Sequence, residues 1–183
     1  MLQNHAAHSA LAGKPIVLVG LMGVGKSTVG RRLAAKLGIP FVDADAEIEA
    51  AAGMSVTEIF DRFGEPYFRD GERRVIARLI DGSPKVIATG GGAFINAETR
   101  SLILQAAVAV WLDAPPAVLA ERVRRRDTRP LLRGKDPETV LIDLASIRNP
   151  LYALAPIRVA SNRAPHELTV NAILNALTKA PVA

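Results

Sequence analysis

Two hydrophobic rhythms alternate along the chain. Short continuous apolar runs occur at Ile16-Val17-Leu18-Val19, Phe41-Val42, Val86-Ile87-Ala88, Val108-Ala109-Val110-Trp111-Leu112 and Ile157-Arg158-Val159. Runs of this length, bounded by glycine, proline and acidic residues, predict strands buried on both faces. Between them lie stretches with helical spacing. Val29, Leu33 and Leu37 recur every four residues and Gly38 follows, which predicts a helix over 26–37. Further helices are predicted from Ala46 to Ala51, from Gly64 to Ile80, from Asn96 to Gln105, from Pro115 to Arg126 and from Pro165 to Thr178. Ser55 with Glu58 three residues on has the capping-box spacing of a helix start. Asp136-Pro137 opens another helix, and Pro150 is expected to stop it at Asn149. Strands alternating with helices from end to end predict an α/β fold with a mainly parallel sheet.

The chemistry collects where strands give way to loops. Gly20-Leu21-Met22-Gly23-Val24-Gly25-Lys26-Ser27-Thr28 follows the first strand and opens the first helix. That setting identifies a phosphate-binding loop. Its glycines let the backbone approach a ligand, and the helix N-terminus attracts an anion. Lys26 adds a charge for the β- and γ-phosphates, and Ser27 offers a hydroxyl to magnesium.

Asp43-Ala44-Asp45 stands at the carboxyl end of the second strand, where open parallel sheets bind ligands. One carboxylate can hold magnesium through water while the other accepts a hydrogen bond from a substrate hydroxyl. The competing reading is a helix N-cap plus a solvated acid. The third strand ends in Thr89-Gly90-Gly91-Gly92 rather than in an acid, so Asp43 is the most economical metal carboxylate, ahead of Asp113. The triple glycine makes a floor that a small substrate can approach closely. Arg69 and Arg148 stand singly in apolar helical surroundings, suited either to a carboxylate or to a surface salt bridge. Arg129 lies in a polar segment, Asp127 to Lys135, that reads as a mobile lid able to reach a transferring phosphate.

Composition narrows the function classes. The 183 residues, 49% hydrophobic and 22% charged, predict one domain, 14–183, with residues 1–13 as a flexible extension. That extension contains no Lys or Arg and no apolar core, so it does not read as a signal peptide. Cysteine is absent, which excludes disulfides and cysteine metal sites. No apolar stretch approaches the ~18 residues of a membrane span, and a cytoplasmic location is expected. The net charge of +5 suits small anionic ligands better than nucleic acid, because only 4% of residues are aromatic and base stacking needs rings. His5, His8 and His166 show no ligand spacing.

Taken together, the segments at 20–28, 43–45, 67–69 (Tyr-Phe-Arg), 89–92, 129–132 (Arg-Pro-Leu-Leu) and 148–152 (Arg-Asn-Pro-Leu-Tyr) resemble a bacterial shikimate kinase over Pro15 to Leu177. The resemblance implies a P-loop NTPase-like fold of the nucleoside monophosphate kinase type, with three layers and a mobile lid. It implies transfer of the γ-phosphate of ATP to shikimate, a step toward aromatic amino acids, with Mg2+ as the metal. By the family pattern, Gly23, Val24, Gly25, Lys26, Ser27 and Thr28 hold the phosphates, and Ser27 with Asp43 serve magnesium. Asp45 binds shikimate hydroxyls and is the candidate base. Arg69 and Arg148 grip the carboxylate, and Gly91 and Gly92 face the ring. Lys26 and Arg129 stabilise the transferring phosphoryl group, and Arg125 and Arg163 lie near the adenine or its phosphates. The family often carries an Asp where this chain has Ala160. The expected partners are shikimate and ATP, with no nucleic acid or membrane, and a monomer is expected. The rival readings are another small-metabolite kinase, of gluconate type, and a nucleotide-gated regulator without turnover.

Overall fold

The structure is a computed structural model that describes residues 11, 13–125, 132 and 134–179. Five strands form one sheet: β1 (Ile16–Val19), β2 (Phe41–Asp43), β3 (Val86–Ala88), β4 (Val108–Asp113) and β5 (Ile157–Ala160). Their order is β2-β3-β1-β4-β5, and every pairing is parallel. All four β1 side chains are fully buried, as the unbroken apolar run requires of a central strand. Helices flank the sheet: α1 (Lys26–Leu37), α2 (Ala44–Ala52), α3 (Val56–Leu79), α4 (Ala97–Ala106), α5 (Pro116–Arg124), α6 (Pro137–Tyr152) and α7 (His166–Lys179).

The expected strands are all present. Three boundaries depart from expectation, each for a physical reason. Helix α2 begins two residues early, because the Asp43 side chain caps it by accepting from the Asp45 and Ala46 amides. Helix α3 joins both segments read on either side of Gly64. The Ser55–Glu58 capping box starts it, and Gly64, at φ 80°, bends it in the middle. Pro150 does not stop α6, which continues to Tyr152. A proline without N–H removes one intrahelical bond, and the Ala153 amide still reaches the Asn149 carbonyl to close the last turn. That extra turn carries Tyr152 into the core. Leu11 is also buried.

The sheet order has a functional result. Because β2, β3 and β1 are neighbours, Asp43, Thr89 and the loop after Val19 end side by side. The Thr89 hydroxyl donates to the Leu18 carbonyl at 2.9 Å and ties two of those strand ends together.

Candidate active site

Helix α1 presents an open N-terminus. Gly25 caps it with a left-handed backbone at φ 96°, no side chain caps its first amides, and no acid lies in its first turn. A side chain at Gly25 would be strained there and would press on the His166 ring, 3.3 Å from the added carbon. The loop is pinned from outside. The Ser161 hydroxyl, itself buried, donates to the Val24 carbonyl at 2.8 Å. Arg122 donates to the Gly23 and Val24 carbonyls and to the Asn162 carbonyl. Lys26 is buried, and its ammonium donates to the Gly20 and Leu21 carbonyls at 2.7 and 3.0 Å. A cavity of about 270 Å3 lies over this loop, lined also by Ser27, Thr28, Asp43 and Arg125. His166 lines it as well, and burial, then Arg122 and Arg32, hold its pKa below the ordinary value.

Asp43 is the N-cap that the competing reading expected, and it keeps one oxygen for the cavity side. One oxygen caps α2; the other accepts from the Ser27 hydroxyl at 2.6 Å. A hydroxyl and a carboxylate meeting on the cavity wall form the hard-oxygen pair that suits Mg2+, an ion held by one or two protein oxygens together with phosphates. Among the described residues no cluster of three or more acidic, His or Cys ligands competes for a metal.

A second cavity, of about 430 Å3, opens on the other side of Asp45. Asp45, Gly90 and Gly91 line both cavities and mark their junction. Arg69 and Arg148 both line the second one, but their circumstances differ. Arg69 is ion-paired to Glu65 at 3.0 Å and to the buried Glu72 at 2.8 Å. Burial opposes the Arg69 charge, and the two carboxylates more than offset that, so its pKa is raised. Arg148 is 9% exposed, and among the described residues no carboxylate lies within ion-pair distance of it. Glu72 feels the Arg148 charge, but no carboxylate of the described residues is ion-paired to it, so this guanidinium facing a cavity suits an anion. The Gly92 backbone lies so close to Arg69 that an added side chain would collide with its guanidinium.

Glu72 was not legible from sequence. Burial pushes its carboxyl pKa up, Arg69 counters, and Asp45 adds to the rise. Its Oε1 and an Asp45 oxygen stand 2.8 and 3.0 Å from where a Cβ on Gly90 would be, so the two acids flank that glycine. Its signal was available in retrospect, since Glu72 lies three residues after Arg69 on the same helix face. Arg122 was equally missed as a cavity residue, being one of five arginines in a short stretch. Of the other expected site residues, Arg125 lines the first cavity and Gly91 and Gly92 the second. Arg163 lines neither, and its guanidinium pairs with Glu121. Arg129 lies outside the described residues, as does most of the expected lid.

Comparison with known proteins gives one answer. The family model described as shikimate kinase matches residues 22–178. The shikimate kinase of Caulobacter vibrioides is 64% identical over 170 residues, covering 93% of this chain and 85% of that protein. The Zymomonas mobilis shikimate kinase is 57% identical, covering 91% and 94%. Among solved structures, the Acinetobacter baumannii shikimate kinase in complex with shikimate superposes with a TM-score of 0.90, at 36% identity over 97% of this chain and 99% of that one. A gluconokinase from Sinorhizobium meliloti shares the fold, with a TM-score of 0.60 at 23% identity over 92% and 94% of the two chains.

Proposed function

The chain belongs to the shikimate kinase family, and from that premise we propose that it transfers the γ-phosphoryl group of ATP to the 3-hydroxyl of shikimate. The carrying observation is the pair of cavities that share Asp45, Gly90 and Gly91, one over a phosphate loop and the other beside the buried Arg148. A polyphosphate in the first and a hydroxylated carboxylate in the second would meet at Asp45.

The loop amides at 23–28 hold the β- and γ-phosphates, and Lys26 exchanges its two carbonyl partners for phosphate oxygens. Ser27 and Asp43 would hold Mg2+, which when bound neutralises charge on the β- and γ-phosphates. Arg148 takes the shikimate carboxylate, and Arg69, kept in place by Glu65 and Glu72, supports it from the facing helix. Asp45 accepts a hydrogen bond from the attacking hydroxyl. As the new oxygen–phosphorus bond forms and the bond from Pγ to the ADP oxygen breaks, the hydroxyl proton passes to Asp45. Arg125 borders the nucleotide end, and Arg129 supplies a further cation to the transferring group. The protein works as a monomer in the cytoplasm.

The test is ADP release with ATP and magnesium, alone, with shikimate and with gluconate. The expected result is a rate that appears with shikimate only. A rate with gluconate would reassign the acceptor. ATP binding with no turnover of either compound would favour the regulator reading.

A further inference from the structure

The catalytic reading leaves Tyr152 unused, although it is the largest fully buried side chain among the described residues. Its ring lies between Phe94, with centroids 6.4 Å apart, and Trp111, at 6.1 Å. Phenylalanine would fill that space equally well, so packing does not account for the hydroxyl. A buried hydroxyl needs a partner. This one donates to the carbonyl of Gly91, a residue shared by both cavities. Burial pushes its pKa up to about 12, so the oxygen keeps the proton it donates. Arg148, one helical turn earlier on the same face of α6, is near enough that its charge partly counters that rise. Arg148 Nη1 is also 3.4 Å from where a Cβ on Gly91 would stand.

We infer that Tyr152 is a positioning residue for the carboxylate half of the site: its hydroxyl ties the glycine loop to α6 and so fixes the Arg148 guanidinium against that loop. This rests on the reaction proposed above. Without the hydroxyl, the Gly91 carbonyl loses that donor, and the loop against which Arg148 stands loses its tie to α6. The phosphate loop is braced separately by Ser161 and Arg122, so nucleotide binding is spared.

The variant Tyr152→Phe keeps the ring. Shikimate is titrated without nucleotide, following the fluorescence of Trp111, the single tryptophan. Loss of one buried hydrogen bond is expected to weaken shikimate binding about tenfold, while KM for ATP and binding of ADP stay within about twofold, which also shows that the variant is folded. In an Arg148→Ala background the same change is expected to add less than about twofold, because two coupled residues are not additive. Unchanged shikimate binding in Tyr152→Phe overturns the inference. So does equal weakening of shikimate and ADP, which marks a structural role, or a full tenfold loss added to Arg148→Ala. Failure of the unmodified protein to bind or phosphorylate shikimate is a different result, and it overturns the proposed function first.

Discussion

The two ends of the site are built from different materials. At the nucleotide end, the anion cradle comes from consecutive residues, 20–28, and from backbone amides. At the shikimate end, four side chains are gathered from α2, α3 and α6: Asp45, Arg69, Glu72 and Arg148. A backbone cradle depends on the local turn and the helix that follows it. A side-chain cradle depends on the sheet order that brings β2 and β3 beside β1, and on α6 returning from more than a hundred residues away. Damage to the first should stay in phosphate chemistry, and damage to the second should divide between binding and stability.

The largest effect is expected from Lys26→Ala. Removing a pre-placed cation from the transferring group should lower kcat by about 1000-fold. Shikimate binding, followed by fluorescence, should hold within about twofold; a parallel loss there would show that the two ends are not separate. Asp45→Asn acts at the junction. It should lower kcat by at least ~100-fold with ATP affinity nearly intact, and a near-normal rate would remove Asp45 from the proton transfer.

The two arginines sharpen the comparison inside the shikimate end. Truncating Arg148 should raise KM for shikimate by about 30-fold, as loss of a desolvated charge pair does. It should lower the melting temperature of the ligand-free protein less than Arg69→Ala does, since among the described residues no carboxylate lies within ion-pair distance of Arg148. Arg69→Ala should instead cost about 2–3 kcal/mol of stability, because it leaves Glu72 buried without its cation. Thermal unfolding of the two variants side by side decides this, and equal losses would erase the distinction.

The smallest effect lies in the alkaline limb of stability. The folded state holds the Tyr152 proton up to about 12, whereas the unfolded chain releases it near the ordinary value of 10.0. The folded state therefore binds the extra proton, and the stability this contributes is intact below the unfolded value and is lost as pH rises through the folded one. The slope approaches about 1.4 kcal/mol per pH unit. Denaturant titrations from pH 9 upward should show it in the unmodified protein and not in Tyr152→Phe.

The same division explains what the sequence made legible. Ile16–Val19, the glycine loop and the helix over 26–37 were read at the boundaries observed, because each is fixed by neighbours in the chain. Asp43 was read as metal carboxylate or N-cap, and local rules could not reveal that its two oxygens allow both uses. Glu72, Arg122 and Tyr152 escaped because their roles arise only in contact with distant residues. Arg122, for example, reaches carbonyls 98 and 99 positions away in sequence. Pro150 was misjudged because a helix-breaking residue costs one bond, and burial of the following turn outweighs that.

The central place of β1 also shapes how the chain is made. Its flanking partners, β3 and β4, begin at Val86 and Val108. At a synthesis rate of roughly 5–20 residues per second, the strand preceding the phosphate loop waits on the order of 5–20 seconds for its second neighbour. Throughout that interval the nascent chain displays Ile16-Val17-Leu18-Val19 with at least one bare edge. The strand that leads into the phosphate loop is therefore made early and covered on its second edge only once β4 has emerged, and translation pace and chaperone access over the first ~110 residues bear directly on the yield of active enzyme.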